Sequence, residues 1–164
     1  MAKQQSTFAK ELQKWLNKPT RVTVAGIGNP IKSDDSVGVK IIQKLQGKTS
    51  PKIKLLECET VPESFISEIV EFKPTHVLLV DAAMMSLKPG EVRLFSIDEV
   101  ANFQPTSTHM LPLPVFCELI AKLAGAKIAL ILIEPKNMEM GEDLTVEVQD
   151  SAEEVVRVLL KLLP

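Results

Sequence analysis

Residues 75–81, Thr-His-Val-Leu-Leu-Val-Asp, form an apolar run without alternation. A strand with one face in water alternates apolar and polar residues, whereas a strand buried on both faces is apolar throughout. We therefore expect 75–81 to be a central strand of a sheet that is covered on both sides. Turn signals and apolar runs predict further strands at residues 21–27, 53–59, 91–96 and 127–133.

Segments with helical periodicity, in which apolar residues recur at i, i+3, i+4 and i+7, alternate with these strands. They are residues 35–46, 63–70, 112–124 and 151–163. Such alternation predicts a three-layer α/β/α sandwich around a largely parallel, twisted sheet of about five strands. The strand at 91–96 follows the turn Lys88-Pro-Gly90 and is the candidate for one antiparallel strand. We expect residues 1–164 to be a single domain, with 1–20 as an added N-terminal helix.

The composition of the chain excludes several classes of function. The formal net charge is −2 and no Lys/Arg cluster stands out, which argues against nucleic acid and anionic membranes as partners. No apolar run reaches the ~18 residues of a membrane span, and the first residues do not resemble a signal peptide, so we expect a cytoplasmic protein without membrane insertion. Cys58 and Cys117 form no CxxC pair, which disfavours a disulfide framework or zinc knuckle. The oligomeric state is left open.

The sequence Gly26-Ile-Gly28 resembles the start of a dinucleotide-binding loop. The third glycine of that fingerprint would fall at Ile31, and the acid expected about 20 residues further on is absent. A nucleotide-dependent enzyme is therefore a weak alternative. The simpler interpretation is a tight turn between strand and helix that requires small residues.

Four polar side chains lie at predicted strand ends or in loops at one edge of the sheet. Asp34 and Asp35 follow strand one, Asp81 ends the central strand, and His109 precedes the helix at 112–124. Since ligands of open α/β sheets bind at the carboxyl ends of the strands, we expect Asp35, Asp81 and His109 to lie close together. The structural alternatives are that the acid pair offsets a helix dipole, that Asp81 caps a loop amide, and that His109 is a packing residue.

Two carboxylates and one imidazole suit a divalent ion such as nickel or zinc, and equally suit general acid–base catalysis. The alternatives for a nucleophile are weaker: Cys58 and Cys117 are expected in the core. Ser33 and Ser107 are not in a G-x-S-x-G elbow. His76 begins a strand at the opposite edge, and we interpret it as structural.

The residues together resemble the hydrogenase maturation endopeptidases, which remove the C-terminal tail from the large-subunit precursor of NiFe hydrogenase. The resemblance covers about residues 21–163. It is nearest to the formate-hydrogenlyase and energy-converting hydrogenase branch, because residue 35 is Asp and the histidine motif continues into Pro-Leu. The motifs that carry it are Gly28-Asn29, Asp34-Asp35, Gly38, Pro62-Glu63, Val80-Asp81-Ala82, Pro89-Gly90-Glu91, Thr108-His109 and Pro112-Leu113.

The resemblance implies that Asp35, Asp81 and His109 are the catalytic residues and contact the nickel that the substrate presents, with no organic cofactor. It implies a nickel-loaded precursor as partner, an aspartic-type grouping, and Gly28, Asn29 and Asp34 as substrate-binding residues. From the residues themselves, the Gly28 and Asn29 amides are candidate oxyanion donors and Asp34 is the more structural of the acid pair. The alternative function is a nickel-sensing chaperone that holds the precursor without cutting it.

This chain departs from the family pattern near the proposed site. Ser33 stands where glycine is frequent, Met84 stands where a further acid is frequent, and Met110 stands where asparagine is common. These departures leave the three proposed ligands intact. They place in doubt a role for a second acid and the identity of the accepted precursor.

Overall fold

The computed structural model describes residues 2–103 and 112–164, in which helices and strands alternate along the chain. Short 3₁₀ turns precede the second and third helices, at Ser33–Ser36 and Pro62–Phe65. The elements, in chain order, are α1 (Ala2–Trp15), β1 (Val22–Ile27), α2 (Val37–Leu45), β2 (Ile53–Glu59), α3 (Ile66–Phe72), β3 (His76–Ala82), β4 (Val92–Ser96), α4 (Ile97–Phe103), α5 (Leu113–Ala124), β5 (Lys127–Ile133) and α6 (Val146–Leu162).

The five strands form one sheet in the order β2-β1-β3-β5-β4. β1 pairs in parallel with β2 and β3, and β3 pairs in parallel with β5. β4 runs antiparallel to β5, with Leu94 opposite Ile131. The predicted fold class is therefore confirmed, including the single antiparallel strand. β4 cannot pair with its sequence neighbour β3, because β1 and β5 already occupy both edges of that strand.

Helices cover both faces of the sheet. Leu78 and Val80 of β3 lie in one core cluster with residues of α1, α2 and α6. Val77 and Leu79 lie in a second cluster with residues of α3, α4 and α5. Alternate side chains of one strand thus enter different cores, which is why the run at 75–81 is apolar throughout.

The N-terminal helix predicted from the apolar stripe is present as α1. Phe8, Leu12 and Leu16 are buried in the same cluster as residues of α2 and α6. α1 packs on β4 and α6. It is therefore part of one core layer rather than an appendage to the domain.

Two helix boundaries differ from the sequence prediction. The segment predicted as one helix over 35–46 begins as the 3₁₀ turn Ser33–Ser36, in which Ser33 has a left-handed backbone with φ of 41°. The last helix begins at Val146 rather than at 151. Its first turn exposes Val146 among charged residues, so the apolar period is weak there although Val148 is buried. Across the residues that the structure describes, every helix is too short or too polar to span a membrane.

Candidate functional site

α2 begins in direct contact with the carboxyl ends of β1 and β3. A Cβ atom at Gly38 would lie 2.2 Å from the carbonyl oxygen of Val80 and 2.5 Å from that of Ile27. A Cβ atom at Gly26 would lie 2.3 Å from the carbonyl oxygen of Gly38. Only glycine permits this approach of helix to strands. The contact fixes the 3₁₀ turn that carries Asp34 and Asp35 above the edge where β3 ends.

Asp35 is buried, and its carboxylate is held by the loop that follows β1. Asn29 donates its backbone N–H to Asp35 Oδ2 at 2.9 Å. Gly28 has φ of 138°, and a Cβ atom there would lie 1.8 Å from the carbonyl oxygen of Asp35. Gly28 is therefore required for the turn to fold back on β1, and Asn29 orients the carboxylate.

Asp81 is buried near the carboxyl end of β3, and its Oδ1 accepts the backbone N–H of Ala82 at 2.8 Å. The last paired residues of β1 and β3 are Gly26 and Val80, so Asp81 lies one position beyond them. Because the 3₁₀ turn packs against β3, the structure places Asp35 and Asp81 at the same edge of the sheet.

His109 lies outside the described residues, and its position beside the two acids stays a prediction. The described chain resumes at Pro112, just before α5. Within residues 2–103 and 112–164, no three His, Cys, Asp or Glu side chains are grouped as metal ligands. Asp35 and Asp81 are thus the part of the predicted trio whose placement the structure describes.

Asp34 has a different environment from Asp35. Its Oδ2 accepts the backbone N–H groups of Lys136 and Asn137, both at 2.9 Å. Its Oδ1 accepts the backbone N–H of Thr145 at 2.8 Å, and the Thr145 hydroxyl lies 3.0 and 2.9 Å from the two oxygens. The buried Asp34 carboxylate therefore fastens residues 134–145, which we call the β5–α6 loop, to the turn that carries Asp35. These bonds agree with the expectation that Asp34 is the more structural acid of the pair, and its binding of substrate stays a prediction.

The amides of Gly28 and Asn29 are also engaged within the protein. Gly28 donates its N–H to the carbonyl oxygen of Glu59 at 2.8 Å, and Asn29 donates to Asp35. Both N–H groups thus have acceptors within the protein in this conformation, and both residues shape the turn beside Asp35. Their role as oxyanion donors to a substrate stays a prediction.

Sequence reasoning missed Glu134, which directly follows β5. Its buried carboxylate accepts the backbone N–H of Met85 at 2.7 Å and that of Leu87 at 3.1 Å. Glu134 thereby holds the loop that leaves β3 just after Asp81. The available signal was an acid at the end of an apolar strand, which is the same signal that identified Asp81.

Ser33 illustrates why a departure from the family pattern is tolerated. Its φ of 41° is a conformation that glycine adopts without strain. The serine hydroxyl donates to the carbonyl oxygen of Asp143 at 2.8 Å. The strained serine therefore adds a bond between the 3₁₀ turn and the β5–α6 loop that glycine could not make.

The thiols are poor candidates for a nucleophile. Burial raises the pKa of both Cys58 and Cys117 to about 12, and negative charge from Glu68 and Glu63 adds to the effect at Cys58. A thiol with this pKa remains protonated at neutral pH and is unreactive. The expectation that both cysteines are core residues agrees with their complete burial.

An α/β sandwich with two buried carboxylates at the carboxyl edge of a parallel sheet defines a class of protein that binds its ligand at that edge. The family model described as HycI, hydrogenase maturation protease, matches residues 39–162. The matched segment includes Asp81 and begins shortly after Asp35. The chain belongs to the hydrogenase maturation protease family, whose members are hydrolases of the endopeptidase type.

Individual relatives agree with this assignment. A Methanocaldococcus jannaschii protein with the provisional name hydrogenase maturation protease is 34% identical over 87% of this chain and 88% of its own. The hydrogenase 3 maturation protease of Escherichia coli K12 is 28% identical over 81% of this chain and 85% of its own. The crystal structure of the NiFe hydrogenase maturation protease HycI from Thermococcus kodakarensis superimposes with a TM-score of 0.86 at 28% identity, covering 93% of this chain and 98% of that one.

Proposed function

We propose that this protein is an endopeptidase that removes the C-terminal tail of a NiFe hydrogenase large-subunit precursor after nickel insertion. The observation that supports the proposal is the pair of buried carboxylates, Asp35 and Asp81, at one edge of the sheet in a hydrogenase maturation protease. Carboxylate oxygens at this edge can act as ligands of a divalent cation, and a cation presented by the substrate would bind there.

Nickel in this proposal belongs to the substrate, and the enzyme carries no organic cofactor. Carboxylate oxygens from Asp35 and Asp81 and an imidazole nitrogen from His109 would complete the coordination of the nickel that the precursor presents. Imidazole and carboxylate are ligands that bind nickel. Asn29 already holds Asp35 in place, so little rearrangement would be needed for the metal to be recognised.

The proposed reaction is hydrolysis of one peptide bond beside the metal. Water adds to the scissile carbonyl carbon, Asp35 or Asp81 accepts the proton of the water, and the departing amine takes up a proton as the carbon–nitrogen bond breaks. This use of carboxylates corresponds to an aspartic-type endopeptidase. Without nickel, the acids and the tail are not brought together, so cleavage would depend on metal insertion.

The test is incubation of purified protein with the nickel-loaded and the nickel-free precursor, followed by intact-mass measurement. We expect the precursor to lose the mass of a C-terminal peptide only in the nickel-loaded sample. Asp35→Asn, Asp81→Asn and His109→Ala should abolish this loss with little change in Tm. Asp150→Asn, an exposed acid on α6, is the matched control and should process normally.

Two results would contradict the proposal in different ways. A stable complex in which both masses are unchanged would indicate the nickel-sensing chaperone instead of a protease. Normal cleavage by all three site variants would refute the assignment of the site while leaving the activity in place.

A further inference from the structure

Two large apolar side chains are exposed on two loops that hydrogen bonds join beside the proposed site. Ile31 is 49% exposed and Met140 is 68% exposed. Lys32 and Gly141 form a parallel bridge, in which Gly141 donates its N–H to the carbonyl oxygen of Ile31 at 2.9 Å. The bridge joins the two loops, and Ile31 and Met140 each lie one residue before the bridged pair. We call these two residues the apolar pair.

The backbone beneath the apolar pair is fixed on both sides. Ile31 donates its N–H to Asn29 Oδ1 at 3.1 Å, and the amide of Asn29 in turn holds Asp35. On the other side, the Asp34 carboxylate and the Ser33 hydroxyl anchor the β5–α6 loop. Because this backbone is already held by hydrogen bonds, little loop ordering is needed on binding, which favours affinity.

The surroundings of the apolar pair are those of a contact surface. Glu139 and Glu142 are exposed on the same loop, so charged residues flank Met140 and Gly141 in sequence. An apolar centre with a polar rim is the usual arrangement at protein–protein contacts. The pair is also continuous with the proposed site, since one hydrogen-bonded segment, residues 29–35, connects Ile31 to Asp35.

We propose that the apolar pair is a specificity-determining contact that binds an apolar segment of the large-subunit precursor. This inference rests on the proposed function, because it concerns how the same site selects its substrate. A polypeptide that reaches Asp35 passes the loop beside it, so apolar side chains of the precursor cover Ile31 and Met140. The contact supplies binding and contributes no group to the reaction.

The test measures KM and kcat separately for Ile31→Ser, Met140→Ser and the double variant with nickel-loaded precursor. Covering about half of two such side chains corresponds to a KM increase on the order of tenfold in the double variant, with kcat changed by less than about twofold. Leu123→Ser on α5 is the matched control, since Leu123 is 53% exposed and lies on another face. Met140→Leu keeps an apolar side chain, so its KM should stay near the wild-type value.

Direct binding of the precursor to each variant separates this inference from the proposed function. Weaker binding by the double variant supports the inference even if the wild-type protein does not cleave. An unchanged KM in a wild-type enzyme that does cleave would overturn the inference alone. A wild-type dimer that Ile31→Ser converts to a monomer would also overturn it, because a second copy of the chain would then cover the pair.

Discussion

Replacing Asp34 by asparagine should destabilise the protein by breaking the anchor of the β5–α6 loop. The carboxylate accepts three backbone N–H groups, from Lys136, Asn137 and Thr145. If the asparagine oxygen takes the place of Oδ2, the bonds to Lys136 and Asn137 persist in weaker, uncharged form. The new amide group then faces the N–H of Thr145, so one buried donor loses its acceptor.

The magnitude follows from these bonds. Hydrogen bonds to a charged group contribute about 1.5–3 kcal/mol, and an unsatisfied buried donor costs a similar amount. We expect a loss of about 3 kcal/mol in the free energy of unfolding, which lowers Tm by roughly 6–12 °C for a chain of this size. Thr145→Val removes only the hydroxyl bond and should cost about 1 kcal/mol.

Chemical denaturation and calorimetry give the global effect, and trypsin cleavage after Lys136 gives the local one. Asp34→Asn should accelerate that cleavage, whereas the control Asp150→Asn should leave both the midpoint and the cleavage rate unchanged. A Tm within about 2 °C of the wild-type value, together with an unaltered cleavage rate, would refute the anchoring role of Asp34.

Two further predictions concern packing and pH. Gly38→Ala should cost at least about 1–3 kcal/mol and impair processing, because its Cβ would meet the backbone oxygens of Val80 and Ile27. Gly141→Ala is the control for the stability effect of Gly38→Ala, because nothing lies within 4 Å of the Cβ that it adds. Burial and the charge of Lys127 lower the pKa of His76. As the pH drops below about 6.5, the unfolded chain takes up a proton that the folded chain does not, so the stability of the fold decreases. His76→Phe should remove this pH-dependent loss of stability. Curves of unfolding free energy against pH that run parallel for the wild-type protein and His76→Phe between pH 7 and 5 would contradict the prediction.

The environment of His76 agrees with its interpretation from the sequence as a structural residue. It begins β3 at the edge opposite the acids, and its ring packs edge-on against Trp15 with centroids 4.9 Å apart. A histidine at the amino end of a buried strand is remote from the carboxyl edge where ligands bind. Strand direction, which the sequence pattern predicts, was sufficient to separate it from the site.

The direction of the strands likewise predicted where the site acids lie. Which of Asp34 and Asp35 has the structural role could be assigned only from tertiary contacts. Asp81 was identifiable because an acid ends an apolar strand. The two adjacent aspartates have no local difference that assigns their roles. Asp34 is distinguished by partners at residues 136–145, about a hundred positions away in the chain. The Gly28 amide likewise donates to a residue distant in sequence, the carbonyl oxygen of Glu59 at the end of β2, which the local pattern around Gly28 does not reveal.

The two adjacent aspartates therefore have different roles, and mutagenesis can distinguish them by stability and by processing. Asp34 acts on the site only through the position of the β5–α6 loop, so its loss should lower stability and processing together. Asp35 accepts the backbone N–H of Asn29, in the loop that follows β1. Its replacement by asparagine should remove processing while preserving most of the stability. A variant of Asp35 that loses stability to the same extent as Asp34→Asn would show that the two acids share the structural role, and the proposed division between them would be wrong.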